Sequence, residues 1–227
     1  MLSDLVERVS PCCVMIVTSG INEMTFLSSG FICGPKGHVL TCAHAIDMEK
    51  PLFIIPPTHI NTFTPIQNRK FHPIPAELVQ WDPINDVALI KIKGMADIQA
   101  PPPSIMLQPE HDLKVGTSVA YFGYPFVQRG LQLMKVSNTI VSAKSLNHNQ
   151  TRQIVLDSTV NDGNSGGPLF NVETGRIIGI ISGRYSPSGT EALGWVSGMP
   201  LGQDSNISFA TGISYAITLL NEEKSYE

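Results

Sequence analysis

The chain is poor in charge and has no concentrated basic surface. Of its 227 residues 15% are charged, and fifteen Lys+Arg stand against nineteen Asp+Glu for a net charge of −4. The densest basic cluster is Arg69-Lys70, which argues against a nucleic-acid partner because phosphate backbones are bound by clustered cations. Long apolar runs are missing too. Stretches such as Ile177 to Ile181 fall far short of the roughly 20 residues that a bilayer-spanning helix needs, so no membrane span is expected. Met1 to Ser10 has neither a basic start nor an apolar run of secretory length, and on that ground no signal peptide is expected. Cysteine is scarce: Cys12, Cys13, Cys33 and Cys42 all lie in the first fifth of the chain. Two are adjacent, which on a strand puts them on opposite faces, and none has CxxC spacing or a companion HExxH helix. The expectation is therefore buried, reduced thiols in a cytoplasmic protein, with no disulfide framework and no metal site. A chain of this length buries a sufficient core without covalent staples.

Punctuation, by contrast, is abundant. Nineteen Gly and seventeen Pro interrupt short apolar runs rich in Val, Ile, Phe and Thr, an all-β pattern. Six strands are expected first, at Cys13 to Thr18, Thr25 to Cys33, His38 to Cys42, Leu52 to Ile55, Ile74 to Trp81 and Val87 to Ile92. A Pro-rich stretch from Ala100 to Pro109 reads as a stiff linker. Beyond it strands are expected at Ser118 to Gly123, Leu131 to Ala143, Gln153 to Ser158, Pro168 to Asn171, Arg176 to Ser182, Ile207 to Ala210 and Ile213 to Ile217. Two helices complete the reading. Leu2, Leu5, Val6 and Val9 form a helical stripe that Ser3 can cap and Pro11 ends, and Thr218 to Lys224 forms the other. The pattern predicts two small β-barrels, residues 1–105 and 106–227, with a groove between them, the kind of interface where ligand sites form.

Asn161 to Leu169 reads NDGNSGGPL. Three glycines around Ser165 permit a tight turn, close substrate approach and two backbone N–H groups aimed at one point. Taken alone the stretch is equally a Gly-rich hairpin loop. Upstream, His44 follows the apolar Leu40 to Cys42, and Asp86 opens the apolar run Val87 to Ile92. A serine nucleophile needs a base within hydrogen-bond reach, and the base needs a carboxylate to orient it. His44, Asp86 and Ser165 supply these groups in the order His, Asp, Ser, the first two in one predicted barrel and the third in the other.

With those residues in place the sequence resembles the trypsin-like serine peptidases, and within them the high-temperature-requirement (HtrA-type) branch. The similarity runs in order through Leu2 to Pro11, Ser28 to Ile32, Gly37 to His44, Asp82 to Ile92, Gly123 to Phe126, Gly163 to Phe170 and Gly212 to Ile217. It implies two six-stranded antiparallel β-barrels with short terminal helices. It also implies His44 as general base, Asp86 as orienting carboxylate, Ser165 as nucleophile, and the N–H groups of Gly163 and Ser165 as the oxyanion hole. Asp162 stands where the branch usually has proline, and the PDZ domain usual in the family is not among these residues. The segment from Gly183 to Asn206 has no counterpart in the resemblance, and is either a specificity or regulatory loop or a surface insertion.

The function expected is a serine endopeptidase acting on polypeptides without a cofactor, with substrate laid along Ile181, Ser182 and Gly183 as an added strand. The alternative is a protease-like binding module with an inactive or conditionally ordered site; hydrolysis of small esters would use the same residues. In trypsin-like enzymes of basic specificity an aspartate lies six positions before the nucleophile, and Thr159 stands there. Relatives cutting after glutamate resemble this chain at that position but add a histidine where Ser214 is found. A neutral pocket bounded by Thr159, Ile181 to Gly183 and Ser214 is the result, favouring small or medium apolar residues. The resemblance further implies trimers built through N-terminal segments, although the stripe of the first helix is equally explained by packing on its own barrel.

Overall fold

A computed structural model describes residues 2–19, 24–34, 37–57, 60–66, 70–94, 107–186, 194–196, 199–201 and 205–226. In chain order its regular elements are α1 (Leu2–Val9), β1 (Cys13–Ser19), β2 (Met24–Ile32), β3 (His38–Thr41), β4 (Leu52–Ile55), β5 (Ile74–Asp82), β6 (Val87–Ile92), β7 (Ser118–Gly123), β8 (Lys135–Leu146), β9 (Arg152–Asp157), β10 (Pro168–Asn171), β11 (Ile177–Arg184), β12 (Gly194–Val196), β13 (Met199–Leu201), β14 (Ile207–Gly212) and α2 (Ser214–Tyr226). Two closed six-stranded barrels result, in the orders β1-β2-β3-β6-β5-β4 and β10-β11-β14-β9-β8-β7, and every pairing is antiparallel. The all-β, two-barrel expectation therefore holds. The expected boundary at residue 105 lies outside the described residues, as does most of the Pro-rich stretch.

The strand β6 shows why some runs are apolar over four successive residues, Val87 to Ile90, instead of alternating. Ala88, Ile90 and Ile92 point into the first barrel with Val14, Ile16, Val39 and Ile54. Val87 and Leu89 point the other way, into a cluster shared with Phe122, Phe170, Ile177 and Ile180 of the second barrel. A strand buried on both faces leaves little room for polar side chains, and the one in β6, the half-buried Lys91, stands near its end with its ammonium 3.7 Å from Glu223 of α2. The terminal helices reinforce this junction crosswise. From α1, Leu5 and Arg8 pack against the turn at Gly175 in the second barrel, whereas α2 packs on β5 and β6 of the first. The stripe of α1 is thus occupied within the chain: Leu5 and Val9 are buried in the shared cluster, and Leu2 and Val6 lean on it.

Two elements differ from the sequence reading. Leu131 to Met134 lie outside β8, because the N–H of Leu131 turns back to the carbonyl of Phe126 after positive φ angles at Phe126 and Gly130. Ile213 to Ile217 do not form a strand either, since α2 begins at Ser214. The carboxylate of Glu110 accepts both the N–H and the hydroxyl of Ser214, at 3.1 and 2.7 Å. It thereby supplies the helix N-terminus with an acceptor and a negative charge from 104 residues away. Buried Ile213, Ala216, Leu219 and Glu223 then follow helical spacing. In the Gly183 to Asn206 segment the short ribbon β12-β13 is formed; most of what surrounds it lies outside the described residues.

Candidate active site

The imidazole of His44 sits on a single 3-10 turn, Ala43–Ala45, that follows β3. Ala43 and Ile46 are buried beneath it while the ring stays about half exposed, at 52%. Asp86 precedes β6 in a left-handed conformation, φ 58°, uncommon for residues with a Cβ but among those that aspartate tolerates best. Its carboxylate lies 2.9 and 3.0 Å from His44 Nδ1, and one oxygen also accepts the main-chain N–H of His44 at 2.9 Å. Because a carboxylate only accepts, Nδ1 carries the proton, and in the neutral ring Nε2 is left as the base. The sulfur of Cys42 lies 3.7 Å from that Nε2. The Asp86 contact first, and Cys42 second, raise the pKa of His44 from the ordinary imidazole value of 6.5 to about 10, against the opposing effect of burial.

The loop bearing Ser165 is gripped by both barrels. Glycine is required at Gly163 (φ 98°) and Gly166 (φ 84°), where a Cβ would collide with the Tyr124 carbonyl, and with the Ser29 carbonyl and Thr41 hydroxyl, respectively. Ser29, buried on β2, ties the loop down. Its N–H donates to the Ser165 carbonyl at 2.9 Å, and its hydroxyl donates to the Gly163 carbonyl at 2.6 Å while accepting the Tyr124 N–H at 2.9 Å. The N–H groups of Gly163 and Ser165 find no protein acceptor among the described residues. The Ser165 hydroxyl donates to the Ser182 carbonyl at 3.3 Å. The ladder between β10 and β11 ends where the Gly166 N–H donates to the Ile181 carbonyl and the Ile181 N–H to the Gly167 carbonyl, so Ser182 and Gly183 project beyond it with that edge open.

Thr159, Ser182 and Gly183 gather beside this edge. The Thr159 hydroxyl donates to Asn206 Oδ1 at 2.9 Å, Ser208 donates to the Ser158 carbonyl at 2.6 Å, and Ser182 donates to the Phe209 carbonyl at 3.2 Å. Ile181 is wholly buried in the second barrel and contributes through its main chain. Arg184 lies opposite Ser208 in register. Ser214 is not brought to this group, which corrects its assignment to the pocket. It stands past the end of β14, at the first residue of α2, and its hydroxyl is held by Glu110. The sequence reading assigned no role to Ser29, and it missed Cys42 as a neighbour of His44. Their contacts are long-range or depend on the turn geometry, and no local pattern announces them.

Two closed six-stranded antiparallel barrels, the first carrying a His-Asp pair and the second a Gly-flanked serine loop, make up the chymotrypsin-like fold. The chain belongs to the trypsin-like peptidase family, whose domain model matches residues 28–180. Among curated proteins it is 35% identical over 206 residues to a probable periplasmic serine endoprotease, DegP-like, of Pseudomonas fluorescens, covering 89% of this chain and 36% of that protein. It is 32% identical over 208 residues to the protein of the same description from Hahella chejuensis, covering 90% and 37%. The chain thus spans little more than a third of the length of these relatives. Among solved structures it superposes on the HtrA-type protease AlgW with decapeptide, with a TM-score of 0.73 and 21% identity over 99% of this chain and 68% of that one. It also superposes on the serine endoprotease from Yersinia pestis, with a TM-score of 0.65 and 23% identity over 98% and 66%. The relatives' periplasmic descriptions overturn the expectation of a cytoplasmic location. The physical reason is that the four cysteines do not report a compartment: all are free, and three are buried.

Proposed function

We propose that this chain is a serine endopeptidase whose nucleophile is Ser165, with His44 as general base and Asp86 as its orienting carboxylate. The observation that carries the reading is the double contact of Asp86 with His44, on both Nδ1 and the main-chain N–H, which fixes the tautomer that leaves Nε2 as the base. In the first step the Ser165 Oγ attacks the scissile carbonyl carbon and its proton passes to His44 Nε2. Asp86 stabilises the imidazolium, and the N–H groups of Gly163 and Ser165 hold the oxyanion. Collapse of the tetrahedral intermediate breaks the C–N bond, and His44 returns the proton to the leaving amine. Water, activated by His44, then hydrolyses the acyl-enzyme in the same two stages.

Substrate enters as a strand along the open edge at Ser182 and Gly183. Its N–H competes for the Ser182 carbonyl that the Ser165 hydroxyl occupies, and a change of serine rotamer turns the hydroxyl to His44. This occupied hydroxyl also favours, as a second reading, a site whose competence is conditional on a bound segment. The neutral groups Thr159, Asn206 and Ser208 support a preference for small or medium apolar residues before the cut, because a buried cation there lacks a counter-charge. By kinship with relatives described as periplasmic, the substrates are proteins outside the cytosol. Covalent labelling by an activated phosphonate tests the reading: modification of Ser165, lost in His44→Ala, is expected, and an unlabelled chain that still cleaves peptides would overturn it.

A further inference from the structure

The turn that leads into Asp86, at Ile84 and Asn85, is contacted from the opposite barrel. That turn is closed by Asp82, whose Oδ1 accepts the N–H groups of Ile84 and Asn85 at 3.1 and 3.0 Å. The side chain of Asn85 donates through Nδ2 to Asp82 Oδ2 at 2.7 Å. That bond orients the amide, since the carboxylate can only accept, and turns Oδ1 outward. The outward oxygen meets Thr151, which is 1% exposed and whose hydroxyl donates to it at 2.8 Å. The Ile84 carbonyl lies 3.2 Å from the same hydroxyl and 3.4 Å from Asn149 Nδ2.

Thr151 is itself set by the second barrel. It follows β8 in a hairpin where Asn147 Oδ1 accepts the N–H groups of Asn149 and Thr151 at 2.8 and 3.0 Å. The next residue, Arg152, donates its N–H to the Tyr215 hydroxyl at 3.0 Å and pairs with the buried Glu110 at 3.0 Å. Thr151 is therefore tied into the second barrel on both sides along the chain.

We propose that Thr151, acting through Asn85, is a positioning residue for the Asp86–His44 pair, so that docking of the second barrel completes the charge-bearing half of the site carried by the first. This rests on the peptidase reading above and adds a group that touches neither substrate nor the reacting atoms. The hydroxyl is the working feature. Valine has the shape of threonine but takes the donor from the half-buried Asn85 oxygen, and freeing the turn lets the Asp86 carboxylate swing from Nδ1. Misplacement of a catalytic group by about 1 Å lowers rates by up to about 100-fold.

The test compares Thr151→Val with Thr151→Ser, using active-site titration to count competent molecules and histidine NMR to follow the His44 ring. Thr151→Val is expected to lower kcat per titrated site by about 10- to 100-fold with KM nearly unchanged, and to move the His44 titration down toward ordinary imidazole. Thr151→Ser is expected to restore both. Three results would overturn the proposal: an unchanged kcat and ring titration in Thr151→Val, a loss explained wholly by fewer folded molecules, or a serine variant as impaired as the valine one. The ring titration is read without turnover. A wild-type chain that fails to label or cleave therefore defeats the peptidase reading separately from the positioning role.

Discussion

The main-chain N–H of Ser29 donates to the carbonyl oxygen of Ser165 at 2.9 Å, so a strand of the first barrel holds the loop that carries the serine of the second. Together with the Ser29 hydroxyl bonds to Gly163 and Tyr124, it makes the geometry of the site depend on how the barrels meet. Ser29→Ala removes a buried donor to one carbonyl and the acceptor of one N–H. A loss of about 1–3 kcal/mol in unfolding free energy is expected, with slower phosphonate labelling of the molecules that remain folded. Denaturant unfolding and labelling kinetics measure the two effects.

Ser165→Ala, His44→Ala and Asp86→Ala are each expected to lower turnover by about 10⁴- to 10⁶-fold, with losses that do not add when combined. The folded state should persist, since the His44 ring is half exposed and the Ser165 hydroxyl makes one long bond. Peptidase assays beside thermal melts check this. Appreciable turnover by Ser165→Ala would remove the nucleophile assignment.

The pH profile carries its own sign. The base must be neutral to accept a proton, and the pKa of His44 is raised, to about 10, chiefly by Asp86 and then by Cys42. The rising limb of kcat/KM is expected on the alkaline side of the ordinary imidazole value, and Cys42→Ala is expected to shift it toward lower pH. For stability the direction is opposite. A pKa raised on folding contributes stability in full below the unfolded value, and that contribution is lost as pH rises through the folded value. Histidine NMR and melts across that window test both statements.

Burial pushes the Cys12 thiol up to about 12 and the Cys13 thiol well above its usual range. Both are expected to ignore neutral-pH alkylating agents in the native protein, because the thiolate is the reactive form. After denaturation without reductant, four free thiols should titrate. Fewer than four in protein taken from its native source would mean that a disulfide forms.

Profiling with a peptide library should return small or medium apolar residues before the cut, favoured by about 1–3 kcal/mol over charged ones. Dominance of Lys or Arg would contradict the neutral pocket around Thr159. Dominance of Asp or Glu would assign the pocket to Arg184, which lies opposite Ser208, and Arg184→Ala would then abolish the preference.

Much of the fold was legible because strand periodicity is a local property. The strands β4, β6, β7 and β10 begin and end where the apolar runs do. The unbroken apolar run Val87 to Ile90 in β6 required a strand buried on both faces. Residues recognisable by type and order, His44, Asp86 and Ser165, were also within reach of the sequence, and so was the need for glycine on either side of the serine. What only the tertiary structure decided are features set by partners distant along the chain. Helix α2 starts at Ser214 because Glu110 caps it from 104 positions away, which turns an expected strand into a helix and takes Ser214 out of the pocket. Ser29 grips the Ser165 loop across 134 positions, and Thr151 meets Asn85 across 66. None of these contacts leaves a periodic or local trace. Hydrogen-bond partners at such separations are chosen by how two barrels pack, and packing is a property of the folded whole.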